Sequence, residues 1–173
     1  MLATESYVSI RNMILTTHAI VGTALTHTYI NYFTVFIGAL ASHYIFDAIP
    51  HWHYPIPYIK KHVNDISGEG SLTLHGHFFY EVWRILADIF IGIGLSFYFF
   101  GGISWATSVA ALGAMLPDIL VGFWGFYHWK FLNLHYRFHK WIHAKLYLDD
   151  MPIIGIGSQL LIVILFLKLF RVY

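Results

Sequence analysis

Twelve histidines and no cysteine in a chain of 173 residues confine any metal or haem chemistry to imidazole and carboxylate donors. Thiolate nucleophiles, iron–sulfur clusters and disulfides are excluded. His43 and Asp47 stand four residues apart, so on a helix both side chains leave one face and can reach one ion. The pattern continues past Pro50 into His51 and His53, two imidazoles on an extended segment around Trp52. His135, His139 and His143 repeat the four-residue spacing. Four residues turn a helix by about 400°, so neighbours are offset by about 40° and the pair His139 and His143 can share a ligand set. His77, Glu81, Arg84 and Asp88 fall on a further face, either as an ion-pair ladder or with Glu81 free to act as a general base. Neutral imidazoles with carboxylates suit zinc, which in catalytic sites leaves a position open for water. Iron is the alternative.

The elements that must position these side chains are apolar. The chain is 58% hydrophobic and 11% charged, against about 45–50% and about 25% for soluble domains. Ten Lys and Arg with nine Asp and Glu cannot cover the surface of a soluble protein of this length, and a bilayer resolves the mismatch. The fold class is therefore all-α, an integral membrane bundle of four to five transmembrane helices in a single domain over residues 1–173. Apolar runs place spans near residues 8–26, 29–49, 83–100, 103–127 and 153–170. The first is the weakest, because Met13 to Leu25 falls short of the ~20 residues a span needs. Residues 54–74, with Pro55, Pro57 and the Asn64–Ser71 stretch, read as a loop. Residues 130–148 place Phe131, Leu134, Phe138, Trp141 and Ile142 among cations without glycine or proline, which predicts an amphipathic helix in the cytoplasmic-side interface.

With five spans, Arg11, Lys60, Lys61, Arg84, Lys130, Arg137, Lys140 and Lys145 share one side, and only Lys168 and Arg171 lie toward the other. The positive-inside rule then puts the N-terminus inside and the C-terminus outside. The N-terminus, with Glu5 ahead of Arg11, makes a poor secretory signal. A formal net charge of +1 without a long basic run argues against nucleic acid as a partner. Membrane lipids, a lipid-like substrate and an oligomer or larger complex are the expected partners.

On this layout four helices deliver polar groups to one depth: His18 from the first span, His43 and Asp47 from the second, Asp88 from the third and Asp118 from the fourth. An ionised carboxylate at the bilayer centre costs ~2.5–3.5 kcal/mol. Several converging groups therefore read as a polar pocket with mutual partners. The plainer alternative is a set of interhelical hydrogen bonds, His43 to Asp118 for instance.

Thr17-His18-Ala19-Ile20-Val21-Gly22, Ser42-His43-Tyr44-Ile45-Phe46-Asp47 and Gly113-Ala114-Met115-Leu116-Pro117-Asp118 resemble signatures of the predicted membrane-bound metal-dependent hydrolases. That bacterial and archaeal family includes a LexA-regulated type and is distantly likened to zinc-dependent phospholipase C. The resemblance implies His18, His43, Asp47 and Asp118 as site positions, and a bacterial or archaeal cytoplasmic membrane as the location. Two departures stand out. The Ser-His-x-x-x-Asp element precedes the Pro-Asp element here, and the family's His-Arg-Gly-x-Thr-His element is missing, its place open to His75-Gly76-His77 or to the His139–His143 segment.

The favoured reading is a metal-dependent hydrolase acting on an amphiphilic ester or phosphoester at the cytoplasmic face. Its metal ligands are His18, His43, Asp47, Asp118, His139 and His143, with Glu81 as general base. One alternative is a membrane di-iron oxygenase or desaturase, against which the absence of an adjacent His-His element counts. The other is a non-enzymatic accessory subunit whose histidines contact haem, pigment or lipid.

Overall fold

A computed structural model describes residues 12–26, 31–56, 76–127, 129–144 and 148–170. Among the described residues six helices carry the fold: α1 Leu15–Thr26, α2 Tyr32–Asp47, α3 Gly76–Phe99, α4 Trp105–Phe126, α5 Lys130–Ile142 and α6 Pro152–Leu169. The only other regular structure among the described residues is an antiparallel pairing of β1 Asn12–Met13 with β2 His53–Tyr54, in which Asn12 faces Tyr54 and Met13 faces His53.

Local chemistry sets the helix ends. Asn31 Oδ1 accepts the Thr34 N–H at 2.9 Å ahead of α2, and Ser104 Oγ accepts the Thr107 N–H at 3.1 Å ahead of α4, each satisfying a donor that has no partner inside its helix. Gly101 and Gly102, at φ 85° and 91°, turn the chain after α3 through a conformation that glycine adopts without penalty. Pro152 opens α6, where its missing N–H costs no hydrogen bond.

Phe78–Phe99, Trp105–Trp124 and Pro152–Leu169 are long and apolar enough to cross a membrane, and they mark the chain as a membrane protein. Their outer faces are apolar, with Phe90, Tyr98, Ile153 and Leu161 exposed. The remaining helices are shorter, α1 at 12 residues and α2 at 16. α3 begins at Gly76 rather than near residue 83. The reason is periodicity: Phe78, Val82 and Ile85 already pack on one core cluster with Val121, Trp124 and Leu132, so the apolar stripe runs one and a half turns earlier than hydropathy alone suggests. α5 stops at Ile142 instead of reaching residue 148. Most of the expected 54–74 loop lies outside the described residues, as do Arg11, Lys60, Lys61 and Lys145, which the orientation argument used.

α1 is the axis of the bundle. Every residue from Thr17 to Ala24 is buried, and the helix packs against α2, α3, α4 and α6. Small residues bring the backbones close. A Cβ on Gly22 would overlap the Ala114 methyl and approach Ala39 Cβ to 3.5 Å, and one on Gly113 would come within 3.0 Å of the Phe36 ring. Asp88 reaches across from α3 to begin α1: its carboxylate accepts the N–H groups of Leu15 at 2.6 Å and Thr16 at 3.2 Å, and the Thr16 hydroxyl at 2.6 Å. A carboxylate on free N–H groups at the positive end of a helix is favourable on both counts.

Candidate metal centre

The small-residue contact between α1, α2 and α4 lies one helical turn from a layer of polar groups. His18 precedes Gly22 by four residues, His43 follows Ala39 by four and Asp118 follows Ala114 by four. Side chains four apart lie one above the other on a helix. The plane in which Gly22, Ala39 and Ala114 meet therefore lays His18, His43 and Asp118 side by side. Asp47 comes one turn after His43, and α5 closes the group with His139. All five are buried.

Nε2 of His43 lies 3.0 Å from Asp47 Oδ2, 3.9 Å from Asp118 Oδ1 and 3.2 Å from His139 Nε2. Nε2 of His139 lies 2.9 Å from Asp47 Oδ2 and 3.3 Å from Asp118 Oδ1. His18 Nε2 stands 3.2 Å from Asp47 Oδ1, and its ring stacks on His43 with centroids 4.1 Å apart. Ligand bonds of about 2.0–2.1 Å at tetrahedral angles separate donor atoms by about 3.3 Å. The distances around His43, Asp47, Asp118 and His139 bracket that value, and one donor atom from each lies within 4.8 Å of all the others. His18 Nδ1 and Nε2, both Asp47 oxygens and Asp118 Oδ2 are buried without an aligned hydrogen bond, although ring nitrogens and carboxylate oxygens sit within ion-pair range. Distance without alignment is what donors turned toward a shared centre, rather than toward each other, show. The group could hold a metal ion.

The surroundings orient the rings. His43 Nδ1 donates to the Ala114 carbonyl at 2.7 Å, which fixes the hydrogen on Nδ1 and leaves the Nε2 lone pair of the neutral ring facing the group. His135 Nε2 donates to the Pro117 carbonyl at 3.0 Å. Pro117 sits inside α4, where its ring lacks an N–H and crowds the preceding turn, and the two imidazoles take the carbonyls of Ala114 and of Pro117 itself. Around His139, burial works against the charged ring, but the Asp118 and Asp47 carboxylates beside it outweigh burial and lift its pKa to about 10. Burial lowers the His135 pKa, against the bond to Pro117.

The sequence pairs His139 with His143, and the structure sends them to different groups. His143, the residue that ends α5, meets His51 and His53, and one Nε2 or Nδ1 from each of these three again lies within 4.8 Å of the others. The two groups are neighbours, with the His139 and His143 rings 5.7 Å apart. Burial, and then His53 beside it, pushes the His51 pKa down to about 4, and burial lowers that of His143. Glu81 is buried on α3 and is not a donor in either group. Asp88, expected at the depth of the pocket, caps α1 instead. Asp149 carried no signal in the sequence, yet its Oδ1 lies 2.7 Å from His53 Nδ1 across 96 positions of chain. The His51-x-His53 spacing was the available sign of the second group.

Comparison of the chain with protein families, with curated proteins and with solved structures found no significant match to any of them.

Proposed function

We propose that the chain is a membrane-embedded metal-dependent hydrolase acting on an amphiphilic ester or phosphoester at the cytoplasmic face, with His43, Asp47, Asp118 and His139 as the ligands of a zinc-class ion. The observation that carries this reading is the convergence of four buried donors from α2, α4 and α5 at ligand-to-ligand distances. Packing alone does not account for two carboxylates and two imidazoles buried together, because a bundle gains more from apolar side chains of the same volume. An ion bound there supplies Lewis acidity, polarising a substrate oxygen and making water a nucleophile near neutral pH.

The chain's own groups divide the remaining work. Asp47, with His18 against one oxygen and His43 and His139 against the other, holds the imidazoles in register. Ala114, through its carbonyl, sets the His43 tautomer. Glu81 is the candidate general base. A groove lined by Ile14, Trp52, Ala87 and Ile91, with Arg84 and Asp88 as its charged groups, offers apolar walls to a substrate tail and one guanidinium to its head group.

In the membrane, α3, α4 and α6 cross, α1 and α2 complete a bundle of four to five spans, and α5 lies along the inner surface. Exposed Phe131, Leu134, Phe138 and Trp141 beside Lys130, Arg137 and Lys140 on α5 support that placement. The positive-inside rule, applied to these cations, supports a cytoplasmic side for the site end.

The test is elemental analysis of the detergent-purified protein beside a His43→Ala, Asp118→Ala double variant, with hydrolysis of bis-p-nitrophenyl phosphate and a p-nitrophenyl ester as readouts. Zinc and turnover present in the native protein and lost together in the variant are expected. Iron with oxygen consumption would replace this reading by the di-iron oxygenase. A native protein that takes up no metal and matches the variant would leave only helix-bridging contacts.

A further inference from the structure

A second group of imidazoles is built as deliberately as the first and has no part in it. His51 and His53 flank Trp52 in the segment after α2, and His143 ends α5. Their ring centroids form a triangle of 4.5, 4.9 and 5.1 Å. His51 Nδ1 donates to the Ile49 carbonyl at 2.6 Å, and His53 Nδ1 donates to Asp149 Oδ1 at 2.7 Å. Those two bonds fix the hydrogens on Nδ1, so in the neutral rings both Nε2 atoms carry lone pairs. His53 Nε2 lies 3.3 Å from His143 Nε2, again the separation of two donors on one ion. A hydrogen on His143 Nε2 would satisfy His53 alone. His51 Nε2 is buried with no hydrogen-bond partner, in a residue only 2% exposed.

The segment that carries two of these rings is clamped. β2 pairs with β1 through Met13 and His53. Gln159 Nε2 donates to the Trp52 carbonyl at 2.8 Å, and Gly155 lies so close that a Cβ there would overlap Trp52 Cβ. Asp149 takes the His53 backbone N–H at 3.2 Å as well as its ring. The Ala144 N–H donates to the Asp47 carbonyl at 2.8 Å, tying the end of α5 to the end of α2. A carboxylate behind an imidazole, orienting it and raising its basicity, is the usual outer shell of a metal-bound histidine.

We propose that His51, His53 and His143 form a second metal site, taking one borderline divalent ion such as Zn2+ on three imidazole nitrogens, with Asp149 as its positioning residue. Three imidazoles leave a tetrahedral ion one open position. The four-residue steps from Asp47 to His51 past the end of α2 and from His139 to His143 at the end of α5 carry both chain segments from the first site to this one. Metal binding here does not depend on the hydrolase reading.

The experiment is titration of the detergent-purified full chain with Zn2+, read by calorimetry and by metal content after dialysis. Native protein should bind two equivalents. His51→Ala with His53→Ala should bind one, and His43→Ala with Asp118→Ala should also bind one. Asp149→Asn should keep both equivalents, one of them weakened about 10–100-fold. Co2+ in place of Zn2+ should give visible bands from the second equivalent that the His51→Ala, His53→Ala variant lacks. A single equivalent in the native protein that the His51→Ala, His53→Ala variant retains would overturn the proposal, and so would two that survive in that variant. If that variant fails to fold, Asp149→Asn with both affinities unchanged has the same force. Absence of turnover with two equivalents bound would sink the hydrolase and leave this site standing.

Discussion

Gly22→Ala tests whether close packing of α1 on α4 is what assembles the first centre. The new Cβ would overlap the Ala114 methyl, and ordinary contact is restored only if the two helices part by roughly 1 Å, since carbon atoms settle at about 3.5–4.0 Å. Neither neighbour is a flexible side-chain tip that can swing aside. His18 lies one turn from Gly22 and Asp118 one turn from Ala114, so the displacement passes directly into a site where His18 Nε2 stands 3.2 Å from Asp47 Oδ1 and His43 Nε2 stands 3.9 Å from Asp118 Oδ1. Ligand distances tolerate about 0.2 Å. Overpacking of this kind costs about 1–3 kcal/mol, roughly a 5- to 150-fold loss if it is felt at the ion. The assay is Zn2+ affinity of the first equivalent by competition with a chelator, beside thermal unfolding in the same detergent. Gly122→Ala is the control: it lies in α4, the helix Gly22 packs against, a Cβ there meets nothing within 4 Å, and the helix gains up to about 1 kcal/mol. A Gly22→Ala protein that melts like Gly122→Ala and holds Zn2+ as tightly as the native chain would refute the packing argument.

Two further outcomes follow from the geometry. With its pKa lifted to about 10, His139 carries a proton at neutral pH that an incoming ion must displace. The first equivalent should therefore tighten as pH rises, roughly tenfold per unit and about a hundredfold between pH 7 and 9, and should release a proton in calorimetry run in buffers of different ionisation enthalpy. His51, held down to about 4, is neutral throughout that window and contributes no such release; equal pH slopes for the two equivalents would contradict the assignment of His139 and His51 to separate centres. Asp88→Ala removes the acceptor of three donors at the start of α1 and should cost about 1–3 kcal/mol of stability with metal stoichiometry unchanged. A melting temperature equal to the native one would remove Asp88 from that role.

Spacing within one helix was enough to mark His43 with Asp47, because residues four apart share a face whatever surrounds them. His18 and Asp118 were marked by the cost of polar groups in apolar helices. The division between His139 and His143 was not legible, since the four-residue step says that two imidazoles point one way and nothing about what each meets. That depends on where α2 ends: Asp47 at its last residue lies opposite His139, and His51, four residues on in the segment beyond, lies opposite His143. Asp88 misled for a related reason. A carboxyl at mid-helix advertises its burial but not its partners, and here the partners are the N–H groups of a neighbouring helix. The early start of α3 was hidden because Glu81 and Arg84 lower the hydropathy of a stretch whose apolar stripe continues beneath them.

The burial of α1 also has a consequence for biogenesis. This helix emerges from the ribosome before the others, yet its 12 residues are too short to hold a transmembrane position by themselves, and its neighbours arrive later in the chain. Leu15–Thr26 therefore depends for its place on the slot that α2, α3, α4 and α6 line around it. His18 is carried on α1, so the imidazole layer is complete only when that slot is filled.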